Sequence, residues 1–475
     1  FETLREVSPK YEIDSQYYIS YIRYTQKKYN DALAGFIRLQ NNSKYKTLVP
    51  YYIADIYLQQ KQYEKARTIA QDYLSVMRID SEKTAEMHRI LGEINYHYKD
   101  YPTAVKEFES YVNSTKNPQR GALYMMGLSN YETRVYSKAA SALGEVTKVN
   151  DQLTQNANLH LGLSYLQLAD KNKARMAFEQ AAASNDDINI KEQALYNYAL
   201  TLHETSFSAF GESVTVFERF LNEFPNSAYV SQISSYLVDV YLNTRSYEPA
   251  LASIERISRP NNQILEAKQK ILFQLGTQTF ANANFTKAAD YFTRSIAIGK
   301  YNQQTNAEAH YWRGEAYYRL NKLTEANSDF MQYLRLNRQA NTEMYALAQY
   351  NLGYIAFHKN DYSTAQNYLL QFLRSYKGDN QTILADANNR IGDSYLQTRN
   401  YNEAKQYYSQ AEALDTPTGD YSFYQLALVA GLQRDYAGKI TLLNRLAAKY
   451  PTSPYAVNAM YEKGRSYVLM NNNAQ

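Results

Sequence analysis

The sequence predicts an all-α chain built from repeated pairs of helices, and three observations lead to that prediction. An aromatic residue, two variable residues and an alanine recur in eight clear and four weaker copies, at intervals of 34 to 39 residues. A small residue lies twelve positions before most of these alanines, and a bulky apolar residue follows four positions after them. No segment shows the sustained period-2 alternation that is typical of strands.

The recurring phrase is predicted to open the second helix of each pair. Its last position, called the alanine slot, is occupied in turn by Ala32, Ala66, Ala104, Ala139, Ala174, Ser213, Ala250, Ala288, Ala326, Ala365, Ala404 and Lys439. An Asp, Asn or Ser precedes the opening aromatic residue at Asp100, Ser246, Asn284, Asp361, Asn400 and Asp435. These residue types accept hydrogen bonds from free backbone N–H groups, so each is expected to be a helix N-cap.

Glycine recurs inside the first helix of many pairs, at the position called the glycine slot. The eight glycines are Gly92, Gly127, Gly162, Gly276, Gly314, Gly353, Gly392 and Gly464. Glycine costs a helix interior about 1 kcal/mol relative to alanine, so its return needs a packing reason. We expect the bulky residue of the second helix to pack directly against each glycine.

The composition excludes several classes of protein. The 475 residues include 49 tyrosines and no cysteine, which rules out disulfides, thiolate metal sites and cysteine nucleophiles. The net charge of +4 gives no electrostatic footprint for nucleic acid, and no apolar run approaches the ~18 residues that a spanning helix needs. No dinucleotide or phosphate-binding loop is present, so we predict no cofactor, no metal and no enzymatic activity.

The repeat resembles the tetratricopeptide repeat (TPR) family. Ile391-Gly392-Asp-Ser-Tyr395, followed by Tyr401, Ala404 and Tyr408, is a good copy of the family signature. The resemblance implies a right-handed α-solenoid of about twelve and a half repeats over residues 13–470. Residues 1–12 would be a lead-in. Residues 471–475 would be a truncated tail, and we expect the native chain to continue beyond Gln475.

Two repeat junctions carry a narrower resemblance. Phe224-Pro225-Asn-Ser227 and Tyr450-Pro451-Thr-Ser453 are similar to junctions in TPR proteins of the Gram-negative envelope, of the outer-membrane assembly lipoprotein and Tol-Pal accessory types. This resemblance implies a periplasmic location in an envelope assembly. A signal peptide or lipid anchor before Phe1 is left open.

The resemblance also implies where a partner would bind. In the family, residues three before, one after and four after the glycine slot line a concave groove. The Lys and Asn pair with which cytosolic TPR co-chaperones hold a C-terminal carboxylate is missing from every repeat. These slots are rich in tyrosine instead, and the predicted groove consists of Tyr17, Tyr51, Tyr124, Tyr196, Phe273, Tyr311, Tyr350, Tyr424, Glu315, Tyr354, Asp393 and Tyr318.

The predicted function is a scaffold that binds a protein or an extended peptide along this groove. Tyrosine suits such a contact because it is large and rigid and carries a hydroxyl group. Alternatives stay open: the tyrosines could serve only to pack the helices together. The chain could also be the substrate-recruiting region of a larger enzyme, or a cytosolic assembly adaptor.

Overall fold

A computed structural model of the chain describes residues 1–76, 81–205, 211–337 and 342–470. Throughout these ranges the ordered elements are α-helices and no strand occurs, which confirms the all-α fold class. A short helix, α1 (Glu2–Val7), lies in the predicted lead-in. The predicted tail at 471–475 lies outside the described residues.

The remaining helices alternate between first and second members of each pair. The first helices are α2 (Glu12–Thr25), α4 (Val49–Gln59), α6 (Ser81–His97), α8 (Arg120–Glu132), α10 (Gln152–Gln167), α12 (Ile188–Thr205), α14 (Val230–Asn243), α16 (Asn262–Ala281), α18 (Gln303–Arg319), α20 (Glu343–His358), α22 (Gln381–Gln397), α24 (Asp420–Leu432) and α26 (Ala456–Leu469). The second helices are α3 (Tyr29–Leu39), α5 (Tyr63–Val76), α7 (Tyr101–Ser114), α9 (Tyr136–Val146), α11 (Lys171–Ala183), α13 (Glu212–Glu223), α15 (Tyr247–Glu255), α17 (Phe285–Ile298), α19 (Leu323–Leu336), α21 (Tyr362–Ser375), α23 (Tyr401–Ala413) and α25 (Tyr436–Lys449).

The chain forms two compact units. Unit 1 comprises Phe1–Ile233 with Ile257–Arg259, and unit 2 comprises Ser234–Arg256 with Pro260–Gln475. Within each unit a first helix packs against its own second helix and against the first helix of the next pair, as α6 does with α7 and α8. In unit 2, α20 packs in the same way against α21 and α22. First helices therefore form a continuous layer in each unit, which is the arrangement of an α-solenoid.

The glycine slots explain how closely the two helices of a pair approach. A methyl group at Gly353 would lie 2.6 Å from Leu369 Cγ, and one at Gly162 would lie 2.5 Å from the Phe178 ring. The same bulky position, sixteen residues on, meets the glycine in seven pairs: Gly92–Phe108, Gly127–Leu143, Gly162–Phe178, Gly276–Phe292, Gly314–Phe330, Gly353–Leu369 and Gly392–Tyr408. The packing reason is confirmed at these seven positions. At Gly464 no side chain of the described residues lies within 4 Å of the methyl position, and the prediction stays untested because the positions that would follow α26 lie outside the described residues.

The turn between the two helices of a pair contains a residue with left-handed backbone conformation, which the sequence pattern did not predict. Five positions before the alanine slot, the backbone adopts the left-handed conformation, with φ between 54° and 65°. The residues are Lys27, Lys61, Lys99, Arg134, Ala169, Arg245, Ala283, Asn321, Asn360, Arg399 and Arg434. None is glycine, although glycine adopts this conformation at least cost.

The predicted N-caps are confirmed in four of six cases. The side chains of Asp100, Asn284, Asp361 and Asp435 accept hydrogen bonds from backbone N–H groups in the first turn of their second helices. Ser246 and Asn400 occupy the cap position without a side-chain bond to the helix. Among the described helices none is both long enough and apolar enough to cross a membrane.

Candidate functional site

An open groove runs over the first helices of unit 2. It consists of two adjoining cavities of about 350 and 670 Å³, which share Tyr350 of α20 and Ile383 of α22. We call this surface the tyrosine groove. Its smaller cavity is lined by five residues of the predicted site, namely Tyr311, Glu315, Tyr318, Tyr350 and Tyr354. Its larger cavity reaches through Asp386, Arg390 and Tyr421 to Tyr455 at the start of α26.

Hydrogen bonds between neighbouring first helices hold the groove side chains in place. The Tyr350 hydroxyl donates to Asp386 Oδ2 at 2.6 Å, and the Tyr354 hydroxyl donates to the same oxygen. Glu315 Oε1 accepts from the Tyr311 hydroxyl at 3.2 Å and from the Asn351 amide. These side chains are therefore fixed by contacts from one pair of helices to the next, which lowers the entropy lost when a ligand orders them.

The far end of the groove is built around a buried carboxylate. Asp393 Oδ1 accepts from the hydroxyls of Tyr408 and Tyr421, each at 2.7 Å. Arg390 Nη1 lies 2.7 Å from Asp393 Oδ2 as an ion pair, and the Arg390 guanidinium stacks 5.0 Å from the centre of the Tyr421 ring. Asp393 is buried, so it supports the groove wall from behind instead of meeting solvent.

Burial sets the electrostatics of the groove. It raises the pKa of the Glu315 carboxyl above its ordinary value, although the bonds from Asn351 and Tyr311 oppose that shift. Burial also raises the pKa of the Asp393 carboxyl. It raises the pKa of the Tyr350 and Tyr354 hydroxyls still further above neutrality. The lining carries both signs of charge, with Glu315, Asp386 and Asp420 beside Arg319 and Arg390.

Three of the predicted groove residues pack into cores. Tyr17 stacks on Tyr45 with ring centres 4.5 Å apart, and its hydroxyl donates to that of Tyr52. Phe273 contacts Phe292 within the core of unit 2. Tyr311 is only 5% exposed, so it offers little open surface to the groove.

Tyr51 and Tyr124 are half-buried on the first helices of unit 1. Burial raises the pKa of each hydroxyl to about 12. The Lys83 ammonium lies 4.4 Å from the centre of the Tyr51 ring. Neither residue lies on the tyrosine groove, which belongs to unit 2.

Two predicted groove residues hold the repeat junctions. The ring of Tyr196 stacks on Tyr229 with centres 4.0 Å apart, and Tyr424 stacks on Tyr455 at 5.0 Å. Tyr229 and Tyr455 each follow the Pro-x-Ser segment of a junction, where the serine hydroxyl accepts from the tyrosine N–H at 3.1 Å. The two junctions thus share one local structure that covers a face of the preceding tyrosine.

Sequence reasoning missed Asp386, Arg390 and Asn351. They lie six or two positions before the glycine slot, outside the three slots that the family resemblance supplied. Residues three apart on a helix share a face. The position six before the glycine slot therefore lies on the same face as the predicted groove position three before it, and this spacing was a signal for Asp386. The described part of the chain contains no group of three or more His, Asp or Glu side chains placed to hold a metal ion.

Comparison with known proteins agrees with the repeat geometry. Family models of the tetratricopeptide repeat match residues 124–190, 273–341, 385–417 and 421–453. A comparison with curated protein sequences finds no match.

Several solved structures are similar to this chain. One is YrrB, a TPR protein with an unusual peptide-binding site, which has 16% identity over 40% of this chain and 91% of YrrB, with a TM-score of 0.35. Another is the Cut9-Hcn1 hetero-tetramer of the APC/C, with 15% identity over 90% of this chain and 97% of that chain, and a TM-score of 0.28. A third is MamA from Desulfovibrio magneticus RS-1, with 16% identity over 39% and 97% and a TM-score of 0.34. The matched family models show that the chain contains tetratricopeptide repeats in these segments, and helix pairs with the same packing recur through both units.

Proposed function

We propose that the protein is a non-enzymatic scaffold that holds an extended segment of another protein in the tyrosine groove. The observation that supports this most is the meeting of Tyr311, Glu315, Tyr318, Tyr350 and Tyr354 around one open cavity. These five residues occupy three different slots of the repeat, and all five line the same cavity.

The shape and chemistry of the groove favour an extended segment. It crosses successive first helices from α18 to the start of α26, so a ligand that follows it contacts each helix in turn. Tyrosine rings offer apolar faces to side chains, and Asn351, Asn380 and Asn389 bring amide groups that suit peptide backbone. At protein interfaces a few aromatic residues carry most of the binding energy, so the groove rings of Tyr318 and Tyr354 are expected to contribute much of the affinity.

Selection from a random peptide library tests this proposal. The 475-residue protein is expected to enrich peptides that bind saturably, as measured by fluorescence anisotropy. The double variant Tyr318→Ala/Tyr354→Ala removes two groove rings and is expected to weaken binding at least tenfold. A loss of that size corresponds to about 1.4 kcal/mol.

The matched control is Tyr407→Ala on second helix α23, a half-buried tyrosine that stacks on Tyr395 outside the groove. It is expected to leave peptide affinity unchanged while circular dichroism confirms that all variants are folded. Equal affinities for the groove variant and the wild type would contradict the proposal.

We also propose that the protein acts in an assembly of the bacterial envelope, facing the periplasm. The two Pro-x-Ser junctions support this through their resemblance to envelope TPR proteins. Osmotic-shock fractionation of native cells, followed by immunoblotting, tests the location. Recovery in the periplasmic fraction is expected, and recovery with the cytosol would favour an assembly adaptor there.

A further inference from the structure

The larger cavity of the tyrosine groove presents aromatic rings whose hydroxyl groups are already bound. Tyr350, Tyr421 and Tyr455 line this cavity of about 670 Å³. The Tyr350 hydroxyl donates to Asp386 Oδ2 at 2.6 Å, and the Tyr421 hydroxyl donates to Asp393 Oδ1 at 2.7 Å. Because both hydroxyls are bound to carboxylates of α22, the two rings are held in place and offer mainly apolar surface to a ligand.

Two of the rings form a notch in the lining of this cavity. The ring centres of Tyr421 and Tyr455 lie 5.9 Å apart, and the ring planes are inclined at 61° to each other. The Tyr455 ring is fixed by Tyr424, which stacks on it with centres 5.0 Å apart. Pro417 and Pro454 also line the cavity. Aromatic grooves of this kind suit small apolar rings that can pack against two faces at once.

The carboxylates that line the larger cavity already accept hydrogen bonds from the protein. Asp386 Oδ2 accepts from the hydroxyls of Tyr350 and Tyr354. Asp420 accepts from the Ser453 hydroxyl at 2.6 Å and from the backbone N–H of the next residue at 2.9 Å. An N–H group of a ligand would therefore have to compete with bonds that both carboxylates already make.

Two amide side chains of the same cavity have donors without a partner. Asn389 is only 6% exposed, and its Oδ1 accepts from the Ser422 hydroxyl at 2.9 Å. Its Nδ2 group makes no hydrogen bond within the described part of the chain, which is costly for a nearly buried donor. Asn380 Oδ1 accepts from the backbone N–H groups of Thr382 and Ile383, and its Nδ2 group likewise has no partner among the described residues. A fitting ligand supplies acceptors for these amides and brings few donors of its own.

We propose that the segment bound in the larger cavity is proline-rich and adopts the polyproline II conformation. Proline has a carbonyl group but no backbone N–H, so a run of prolines supplies acceptors to Asn389 and Asn380 and brings no donor to the occupied carboxylates. Its rings pack against Tyr350 and into the notch between Tyr421 and Tyr455. This inference rests on the proposed function of the groove, and it names the class of segment that binds there.

Other backbone conformations match these atoms less well. A helical segment uses its carbonyl groups for its own hydrogen bonds, so it has few acceptors to offer Asn389. An extended segment of other residues brings one N–H group with each carbonyl, and near Asp386 and Asp420 these groups meet carboxylates whose bonds are already made. A polyproline II segment is also largely ordered before it binds, which reduces the entropy lost on binding.

Fluorescence anisotropy with the 475-residue protein and a labelled decaproline peptide tests the proposal. Saturable binding is expected. The same peptide with every second proline replaced by alanine regains N–H groups and is expected to bind at least tenfold more weakly. N-methylalanine at those positions again lacks the N–H group and is expected to recover most of the lost affinity. Absence of decaproline binding, or equal losses with alanine and N-methylalanine, would overturn the proposal.

Variants of the protein test the role of the unpaired amide. Asn389→Asp replaces the donor by an acceptor of the same shape and is expected to weaken decaproline binding at least tenfold. Asn389→Ala removes the donor without adding a charge, and it replaces the aspartate variant if circular dichroism shows that the latter is unfolded. The matched control is Asn158→Asp at a buried asparagine of unit 1, which is expected to leave the affinity unchanged. Decaproline affinity that the Asn389 variants leave intact would also contradict the proposal.

Peptides without proline separate this inference from the proposed function. They are selected from a library and are then measured against the wild type and the double variant Tyr318→Ala/Tyr354→Ala. If such peptides bind in the groove and decaproline does not, the groove binds extended segments of another class and only the present inference fails. If neither kind of peptide binds, the proposed function fails with it.

Discussion

At the scale of the residue, tyrosine performs two tasks in this protein. Tyr408 and Tyr333 fill the space between helices and are almost fully buried. Tyr24 and Tyr350 instead donate to a carboxylate on the next first helix, Asp55 and Asp386 respectively. The hydroxyl thus allows an aromatic side chain to bind one repeat to the next in addition to filling space between helices.

The packing at the glycine slot predicts how a substitution in the helix pair α8 and α9 changes stability. A methyl group at Gly127 would lie 2.6 Å from Leu143 Cγ, so Gly127→Ala is expected to destabilise unit 1. The strain of overpacking, about 1–3 kcal/mol, outweighs the ~1 kcal/mol that alanine gains in helix propensity. Urea denaturation followed by circular dichroism measures the difference.

The control lies in the same pair of helices. A methyl group at Gly144 would meet no atom within 4 Å, so Gly144→Ala is expected to stabilise the protein by up to about 1 kcal/mol. If both substitutions shift the denaturation midpoint in the same direction, contact with Leu143 is not the reason for glycine at position 127.

The buried carboxyl group of Glu315 is expected to make the stability of the protein depend on pH. Burial raises its pKa in the folded protein above the ordinary value of 4.5, so the folded state binds the proton more tightly than the unfolded state. Its stabilising contribution is complete below pH 4.5 and is lost as the pH rises through the folded pKa. Glu315→Gln is expected to raise the melting temperature relative to wild type progressively across this window, and the gain then stays constant.

Glu325→Gln on the exposed face of α19 is the matched control for loss of one negative charge. Melting curves for wild type and both variants between pH 4 and 7 provide the comparison. A Glu315→Gln gain that is already present at pH 4 would show that burial of the charge is not its cause.

At the scale of the element, the helices could be predicted but their turns could not. The alanine and glycine slots recur often enough to place both helices of a pair, and four of six expected N-caps form. The left-handed residue of each turn is mostly Lys, Arg or Ala, so residue type gives no signal there. Its position is fixed by the geometry of the helix pair, which overrides the local preference of the residue.

The left-handed turns predict that replacing alanine by glycine has opposite effects on stability in a turn and inside a helix. Ala283 has φ of 58°, so Ala283→Gly is expected to stabilise unit 2 by about 0.5–1 kcal/mol, since the left-handed conformation costs a non-glycine residue ~1–2 kcal/mol. Ala252 is exposed within α15, and Ala252→Gly is expected to cost about 1 kcal/mol. Thermal denaturation of both variants tests the pair, and a loss at both positions would contradict the account of the turn.

At the scale of the whole molecule, each helix contacts chiefly its neighbours in the chain. The repeat architecture can therefore be recognised from the sequence, because every pair of helices packs in the same way. Which groove positions are open depends on side chains of the adjoining repeat, as the contrast between buried Tyr311 and half-buried Tyr318 shows. For the same reason the bonds from Tyr350 and Tyr354 to Asp386 on the next first helix could not be read from a single repeat, although helix spacing places Asp386 on the groove face.

The central claim is that the tyrosine groove binds an extended segment, and the most direct test locates a bound peptide. A photo-crosslinking residue is placed in a peptide selected for binding to the 475-residue protein, and the adducts are mapped by mass spectrometry. Adducts are predicted on the first helices α18, α20, α22 and α24, near Tyr318, Tyr354 and Tyr421. Adducts confined to second helices, or scattered over both units, would contradict the claim.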